Sequence, residues 1–397
     1  MRNLIEQGQN PNVSKELAKG FRERFASVPR VFRAPGRVNL IGEHTDYNDG
    51  FVLPAAIDLY MWAAVAPRND QKLVVFSENL SEQSEIDLLA ANPRPRGHWS
   101  DYVYGVALML QKSGVPLRGA DVMLFSNVPS GAGLSSSAAL EVSVASGLLG
   151  IAGYSLDLES VAKLCQRAEN EFVGARVGIM DQFASCFGSA GQAILLDCRS
   201  LEFKRLPLPA SAAMVICNTM VKHGHSGGEY NDRRAQCEEG VRLLKRFFPE
   251  IKALRDVTLS QLESHRTDLS ELIYRRCHHV ISENERVLRT VDALQIGDLA
   301  AVGRCMKDSH LSLKQDYEVS CSELDVMVEI AGRSDGVIGS RMTGGGFGGC
   351  TINLVKTDSV ETFQKKIKEE YQRATHIDAE IYVSRAGAGV TELEVVR

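Results

Sequence analysis

The stretch RVNLIGEHTDYNDG, residues 37–50, joins an apolar strand-like start to a run of polar side chains. Residues 38–41 have the apolar character of a strand, and four hydrogen-bonding residues follow at 43–46. The Asn-Asp-Gly sequence at its end is typical of turns, which alone would indicate a solvated connection. Such a turn does not need an arginine at the start of its strand. The stretch therefore also fits a binding site for a molecule that carries many hydroxyl groups.

The length and composition of the chain limit the classes of protein to consider. Its 397 residues exceed the size at which one hydrophobic core usually stops growing, so two domains are expected. Hydrophobic residues make up 44% and charged residues 24%, as in ordinary globular proteins. The net charge of −5 argues against a nucleic-acid partner, which requires a basic face. No apolar run is long enough to cross a bilayer, so no membrane partner is expected.

The cysteines and the N-terminus predict a cytoplasmic protein. The nine cysteines are scattered without CxxC pairs, which indicates reduced thiols, and residues 1–7 lack the apolar core of a signal peptide. The nine histidines show no metal-ligand spacing, and residues 277–279 (Cys-His-His) are predicted to be surface or packing residues. No heptad seam or exposed apolar helix is visible, and a monomer is expected.

Strands and helices alternate irregularly along the chain, which predicts the α+β class. The predicted strands are residues 31–33, 53–66, 72–76, 121–126, 192–197, 213–217, 350–355 and 380–383. The predicted helices are residues 158–172, 233–247, 278–294 and 361–373. The polar, proline-containing residues 206–209 indicate a boundary nearby, and the predicted domains are 1–200 and 201–397.

A second motif, PSGAGLSSSAAL at residues 129–140, lies between a predicted strand and a helical pattern. Its glycines and serines therefore sit at a helix N-terminus, where free N–H groups and the helix dipole favour an anion. Gly131 and Gly133 allow close backbone approach to phosphates, and a serine hydroxyl can ligate Mg²⁺. The alternative is an ordinary serine N-cap after a glycine-rich turn. Two glycines followed by three serines exceed what a cap needs, which favours phosphate binding.

A third motif, GGGFGG at residues 344–349, formally contains GxGxxG. A Rossmann dinucleotide site is excluded because that motif must follow a strand and open a helix, whereas these glycines lead into a strand. A Walker A loop and the HRD and DFG elements of protein kinases are also absent from the sequence. The motif is either a flexible hairpin or a ligand-facing loop, and its five glycines favour the loop.

Asp181 stands in the apolar segment 178–183, GIMDQF. An acid in such surroundings is hydrogen-bonded, paired or functional. By itself, this aspartate would be interpreted as the cap of a turn or helix.

Taken together, these motifs resemble the galactokinase family of the GHMP kinase superfamily over nearly the whole chain. The run EHTDY at residues 43–47 is the specific part, while PSGAGLSSSAAL and GGGFGG resemble the phosphate loop and third motif of the whole superfamily. The resemblance implies two α+β domains with the active site in the cleft between them. It also implies transfer of the ATP γ-phosphoryl group to the C1 hydroxyl of α-D-galactose, the first committed step of galactose catabolism.

The resemblance also assigns roles to individual residues. Sugar binding falls to Glu43, His44, Thr45, Asp46, Gly178 and Tyr230. The loop around the triphosphate consists of Gly131, Ala132, Gly133, Leu134, Ser135, Ser136 and Ser137. Ser137 and Glu169 match the Mg²⁺ positions, Ser77 and Trp99 lie near the nucleotide base, and Arg37 and Asp181 match the catalytic pair.

Two alternatives to this interpretation stay open at this point. A kinase of the same superfamily could act on another sugar such as N-acetylgalactosamine, and room at C2 would decide. A sensor that binds sugar and ATP without turnover is disfavoured by Ser137-Ala138, because such sensors lack these two residues. The role of Asp181 is also open, since a neighbouring Arg37 would keep it ionised but make it a weaker base.

Overall fold

The computed structural model describes residues 12–222 and 226–394, so the expectation about residues 1–7 lies outside it. The α-helices are α1 (Val13–Phe25), α2 (Ser100–Lys112), α3 (Ser136–Ala152), α4 (Leu158–Arg167), α5 (Met180–Phe187), α6 (Ser226–Leu244), α7 (Leu259–Ser264), α8 (Glu271–Ile296), α9 (Leu299–Gln315), α10 (Ser322–Gly332) and α11 (Val360–Thr375). The strands are β1 (Arg30–Asn39), β2 (Phe51–Val52), β3 (Pro54–Pro67), β4 (Lys72–Ser77), β5 (Glu82–Asp87), β6 (Ala120–Ser126), β7 (Gln192–Asp197), β8 (Phe203–Pro207), β9 (Ala212–Lys222), β10 (Val337–Thr343), β11 (Gly348–Lys356), β12 (Glu380–Ser384) and β13 (Thr391–Leu393). Each predicted strand and helix overlaps an observed one, and the α+β class is confirmed.

The largest sheet has the strand order β13-β1-β3-β6-β4-β5 and separates two hydrophobic cores. Of its pairs, β4–β6 is parallel and the others are antiparallel. Val65 and other residues of one face pack with helices α2 to α5, where Leu148 of α3 is fully buried. On the opposite face, Trp62 packs against Leu17 and Phe21 of α1. The alternation of β3 side chains between two buried faces explains its long apolar sequence.

The second sheet, β10-β11-β9-β12, shares a core with the first. Along β9, Val215 packs under α10 and α11, while Ile216 faces the other way. Ile216 belongs to the same buried cluster as Val38, which lies in β1, and Ile41, which follows it. The two sheets are therefore joined by apolar packing, and the loops at the end of β1 lie beside this joint.

The chain crosses the predicted boundary at residue 200 with its strands paired. Strand β7 precedes that position and β8 follows it, and the two are antiparallel neighbours in a three-stranded sheet with β2. The last strand, β13, returns to pair with β1. The division into 1–200 and 201–397 stays a prediction.

In the part of the chain that the structure describes, no helix is both long enough and apolar enough to span a membrane. The nine cysteines all lie within the described ranges and are free thiols. The residues 277–279 lie on α8, where His279 is a core residue whose Nδ1 lies 2.9 Å from the Ser312 hydroxyl.

A buried ionic network connects the polar turn after β1 to α8 and β10. Arg341 on β10 is fully buried, and its Nη1 donates to Glu43 at 3.1 Å while Nη2 lies 3.8 Å from Glu283. Arg286 donates to the other oxygen of Glu283 at 2.6 Å. Burial alone would raise the pKa of Glu283, but the charges of Arg286, His279 and Arg341 lower it to about 2. Glu283 therefore stays ionised inside the protein.

We expect Arg341→Met to reduce the free energy of unfolding by roughly 3–5 kcal/mol, because it leaves Glu43 buried without its hydrogen-bonded cation and leaves Glu283 with Arg286 alone. Urea unfolding followed by circular dichroism measures the loss. Arg333→Met is the matched control, because the Arg333 pair with Glu370 is exposed and such pairs contribute about 0–1 kcal/mol. Equal losses in the two variants would contradict the importance of the buried network.

Candidate active site

A bulge in strand β1 positions the first functional residue. The register between β1 and β3 shifts between Pro35 and Arg37. Between them, a side chain on Gly36 would place its Cβ 2.6 Å from the carbonyl oxygen of Leu134. Glycine thus lets the loop before α3 pack on β1, where Arg37 N donates to the Leu134 carbonyl at 3.1 Å. Bulges redirect side chains in this way next to active sites.

The Arg37 side chain joins three parts of the site. Its Nε and Nη2 each donate to the carboxylate of Asp181 at 2.8 Å, and Nη1 donates to the Gly133 carbonyl at 2.6 Å. Arg37 is 5% exposed, whereas a quarter of the Asp181 side chain is accessible. Asp181 lies in the first turn of α5. The structure therefore brings the predicted catalytic pair together as a forked, charge-assisted contact.

The loop between β6 and α3 has the shape that its sequence predicts. Gly131 and Gly133 have φ values of 69° and 75°, in the left-handed region that favours glycine. The side chains of Ala132 and Leu134 are buried in the core beneath the loop, so these two residues present only backbone on its outer side. The loop leads directly into α3, whose first N–H groups are free for an anion.

The third motif packs backbone to backbone against this loop. A Cβ on Gly344 would lie 2.8 Å from the Gly133 carbonyl oxygen, and one on Gly349 would lie 2.9 Å from that of Ala132. Both glycines have positive φ, 88° and 80°. These two glycines therefore allow the two backbones to approach closely and also adopt positive φ angles. The GGGFGG motif lines a cavity.

Glu43 is held by the protein on both carboxylate oxygens. Oε1 accepts from the Gly344 amide at 2.5 Å, and Oε2 accepts from Arg341 and from the side-chain amide of Asn39. Burial raises its pKa, and the charges of Arg341 and Arg37 oppose that rise. Glu43 lines the cavity and at the same time anchors the third motif to β10.

His44 is a neutral ring within an aromatic cluster. Its Nε2 donates to the Gly345 carbonyl at 3.2 Å, which leaves Nδ1 to accept from the Tyr47 hydroxyl at 2.8 Å. Burial, with the nearby His279, lowers its pKa to about 3. The ring of Tyr230 lies 5.4 Å from the His44 ring, and both line the cavity. Both ring nitrogens of His44 thus have protein partners.

The structure does not bring Thr45 to the cavity. Its side chain is fully buried, and its hydroxyl lies 2.8 Å from the carbonyl oxygen of Gly42 and 2.7 Å from that of Phe51. The Thr45 hydroxyl closes the turn that carries His44 and Asp46, which line the cavity. The assignment of a sugar contact to Thr45 overlooked that a turn also needs an internal hydrogen bond.

Asp46 and Gly178 form one unit of the cavity wall. Burial, with repulsion from Asp181, raises the pKa of Asp46 to about 7. A Cβ on Gly178 would overlap the carboxyl group of Asp46. Gly178 therefore provides the space that lets the Asp46 carboxyl group stand beside the cavity.

Glu169 is positioned by an irregular turn. It lies in a π-helical segment, Ala168–Val173, which continues α4, and such segments are frequent at functional sites. Its carboxylate interacts with the Ser137 hydroxyl, and burial together with repulsion from Asp181 raises its pKa to about 8. The structure thus brings the two predicted metal ligands together. Within the described ranges, no group of three or more His, Cys, Asp or Glu side chains is arranged to hold a metal.

Sequence reasoning missed two buried residues next to Glu169. The Gln182 side-chain amide donates to Glu141 at 3.0 Å and to Glu169 at 2.9 Å. Glu141 and Gln182 are both fully buried. The available signal was an acid inside the otherwise apolar helix α3 and a polar residue directly after Asp181.

Two cavities meet at the phosphate loop. The smaller, of about 470 Å³, contains the residues from the ends of β1 and α5, and the larger, of about 1450 Å³, contains Ser77 and Trp99. Trp99 is fixed by a hydrogen bond from its indole nitrogen to Glu82 at 2.7 Å. The residues that line both cavities are Gly131, Ser136 and Ser137.

Comparisons with known proteins agree with this architecture. Residues 19–67 match the profile described as the galactokinase galactose-binding signature. Residues 101–189 and 290–373 match the N-terminal and C-terminal domains of GHMP kinases. The solved structure of a mevalonate kinase from Methanococcus jannaschii shares the fold, with a TM-score of 0.65 at 18% identity over 90% of this chain and 98% of that one.

Curated relatives are much closer in sequence. A galactokinase of Roseiflexus sp. is 46% identical over 378 residues, 94% of this chain and 96% of the relative. A galactokinase of Chloroflexus aurantiacus is 47% identical over 376 residues, with the same coverage. The crystal structure of Lactococcus lactis galactokinase complexed with galactose superimposes with a TM-score of 0.92 at 35% identity, covering 96% of this chain and all of that one.

The fold, with its glycine-rich loop between two cavities, defines a kinase of the GHMP class. The near full-length relatives narrow this class further. The chain belongs to the galactokinase family and is an ATP-dependent sugar kinase.

Gly178→Ala tests the space reserved for Asp46. We expect a loss of roughly 1–3 kcal/mol in stability, because the added methyl group overpacks the wall, and a loss of kinase turnover because Asp46 is displaced. Gly332→Ala is the control, since no atom lies within 4 Å of its added Cβ and little change is expected. Thermal unfolding and ADP release check both, and an unaffected Gly178→Ala enzyme would refute this packing.

The raised pKa of Asp46 gives a pH-dependent prediction. Its ordinary pKa is about 3.9, so between about pH 4 and pH 7 the folded state holds a proton that the unfolded state releases. The stability contributed by this group is present below pH 4 and is lost as the pH rises through 7. We therefore expect the melting temperature of Asp46→Asn, relative to wild type, to increase from pH 5 to pH 8.

Asp308→Asn removes an exposed carboxyl group on α9 and controls for the change in net charge. A melting-temperature difference between Asp46→Asn and wild type that stays constant from pH 5 to pH 8 would show that burial and Asp181 do not destabilise the Asp46 carboxylate.

Proposed function

We propose that the chain transfers the γ-phosphoryl group of ATP to the C1 hydroxyl of α-D-galactose, giving galactose 1-phosphate and ADP. The observation that carries this proposal is that Gly131, Ser136 and Ser137 line both cavities. A triphosphate on this loop has its base in the larger cavity and its terminal phosphoryl group at the smaller one. The galactose that is bound in the Lactococcus lactis enzyme supports the choice of sugar, at 35% identity over 96% of this chain.

The smaller cavity suits an acceptor with several hydroxyl groups. Glu43 and Asp46 provide carboxylates that accept hydrogen bonds from sugar hydroxyls, and charge assistance strengthens these bonds. Tyr230 faces the same space, and because burial raises its pKa it stays protonated and can donate. His44 contributes its ring face, since its two nitrogens are already engaged. Buried groups that need a specific hydroxyl reject sugars that lack it.

In the transfer step, the C1 oxygen of the sugar forms a bond to the γ-phosphorus as the bond from that phosphorus to the β-phosphate oxygen breaks. The electron pair of the broken bond leaves with ADP, and the proton of the C1 hydroxyl passes to the Asp181 carboxylate. Phosphoryl transfer depends mainly on positioning and on neutralising charge. Arg37 holds the Asp181 carboxylate through two hydrogen bonds, so that it is positioned to take the proton as the new bond forms.

Arg37 also lies where charge develops on the transferred group. Its Nη1 donates to the carbonyl of Gly133 in the phosphate loop, so the guanidinium contacts both the Asp181 carboxylate and the loop. A cation held in this way requires no reorganisation during the reaction.

The donor set at Ser137 and Glu169 fits a magnesium ion held together with a nucleotide. Mg²⁺ prefers oxygen ligands and is usually bound by one or two carboxylates together with substrate phosphates and water. One carboxylate and one hydroxyl lie here at the junction of the two cavities. When bound, the ion neutralises negative charge on the phosphates. Gln182 holds the Glu169 carboxylate in place with a hydrogen bond.

The nucleotide base is assigned to the larger cavity. Ser77 at the end of β4 and Trp99 at the start of α2 both line it, and an aromatic indole offers a stacking surface for adenine. The hydrogen bond from Trp99 to Glu82 fixes the orientation of the ring.

ADP release from the purified protein with Mg-ATP tests the function. Galactose, glucose, N-acetylgalactosamine and no sugar are compared in parallel. We expect turnover with galactose, and a fall of roughly 10²- to 10⁴-fold in Asp181→Asn, the range typical of a lost general base. Asp308→Asn, an exposed acid on α9, is the matched control and keeps wild-type turnover.

Turnover that prefers N-acetylgalactosamine or glucose would overturn the proposed sugar and keep the kinase. Near-normal turnover of Asp181→Asn with galactose would overturn the role of Asp181 as the proton acceptor.

A further inference from the structure

Ser135, the residue directly before α3, has an unusual backbone conformation. Its φ and ψ are 59° and 45°, in the left-handed region that residues with a side chain rarely occupy. It is the N-cap residue of α3, yet its side chain makes no capping hydrogen bond. Neither capping nor backbone preference therefore accounts for a serine at this position, and such a conformation is a reason to look for a function.

The Ser135 hydroxyl is directed at Asp181. It donates to Oδ2 of Asp181 at 2.6 Å, and Arg37 Nη2 donates to the same oxygen at 2.8 Å. Oδ1 receives a hydrogen bond from Arg37 Nε at 2.8 Å. Arg37 Nη2 also lies 2.7 Å from Oδ1, so Arg37 contacts both carboxylate oxygens. The Ser135 hydroxyl adds a separate donor on Oδ2.

We propose that Ser135 is a positioning residue for phosphoryl transfer, which gives the Asp181 carboxylate a second anchor besides Arg37 and thereby fixes its orientation toward the C1 hydroxyl of the sugar. This inference rests on the proposed function, in which Asp181 accepts that proton. Asp181 and Ser135 both line the smaller cavity, and about a quarter of the Asp181 side chain is accessible there. The terminal torsion of an aspartate is broad, so a second anchor besides Arg37 restricts which oxygen meets the substrate.

The same geometry separates Ser135 from the two serines that follow it. A hydroxyl carries one proton, and that of Ser135 is used by Asp181. Ser135 can therefore offer a phosphate group only its backbone N–H, whereas Ser136 and Ser137 line both cavities with their side chains free of Asp181. This differs from the assignment of Ser135 as a triphosphate ligand.

Two substitutions distinguish the hydroxyl from the backbone. Ser135→Gly removes the hydroxyl and adopts the left-handed conformation without strain. Ser135→Thr keeps a hydroxyl but adds a branched Cβ, which the left-handed region disfavours. We therefore expect the glycine variant to be the more thermally stable of the two and the threonine variant to be the faster enzyme.

Steady-state kinetics with galactose and ATP provide the main measurement. In Ser135→Gly we expect kcat to fall by roughly tenfold or more, the size expected for a hydrogen bond to a charged group, while KM for ATP changes less than about threefold. The threonine variant should recover a measurable part of kcat in spite of its lower melting temperature. A purely structural role would instead make turnover follow stability.

Three results would overturn the inference. The first is a glycine variant with kcat near that of wild type. The second is a glycine variant whose KM for ATP rises while kcat is retained, which would mark Ser135 as a phosphate ligand. The third is a threonine variant that is as slow as the glycine variant. Failure of the proposed function is seen separately, because wild-type protein would then show no turnover with galactose.

Discussion

The contact between the bulge of β1 and the phosphate loop determines the geometry of the whole site. Gly36 allows the loop to lie directly on the strand, and the backbone of Arg37 binds the Leu134 carbonyl. The guanidinium of Arg37 then joins Gly133 to Asp181. One residue therefore fixes β1, the loop and α5 relative to one another. The cavity, the Asp181 carboxylate and the phosphate loop are therefore held in one arrangement. Phosphoryl transfer requires such precise positioning.

The site concentrates negative charge for which the protein supplies few cations. Asp46, Glu169 and Asp181 lie close enough that Asp181 contributes to the raised pKa of both others. Arg37 is paired with Asp181. Asp46 and Glu169 are the carboxyl groups that we propose for the sugar hydroxyls and for a divalent ion. Mutual repulsion among these carboxyl groups is typical of a ligand-binding or catalytic site.

Much of the fold and of the site could be predicted from sequence patterns. The eight predicted strands were found because β-branched and aromatic runs between turn residues depend on local preference and burial. The strands β2, β5, β8, β10 and β13 were missed. Strands β2 and β13 have only two and three residues, β5 and β8 are polar edge strands, and Gly339, Ser340 and Arg341 interrupt the apolar pattern of β10. Residues 206–209 were interpreted as a boundary, although Leu206 and Pro207 belong to β8, which pairs with β7. The predicted monomeric state and cytoplasmic location stay predictions.

The sequence alone determined most of the chemical groups in the site. The glycine-rich loops, EHTDY and the acid in GIMDQF can be identified because each lies in a short run of consecutive residues. Only the tertiary structure decided what each group does. Thr45 closes a turn, Gly178 makes room for Asp46, and the hydroxyl of Ser135 donates to Asp181. The structure also shows that Gln182 hydrogen-bonds to both Glu141 and Glu169, which the sequence did not indicate. The physical reason is that hydrogen-bond partners and excluded volume come from residues distant in the chain, which local patterns do not encode.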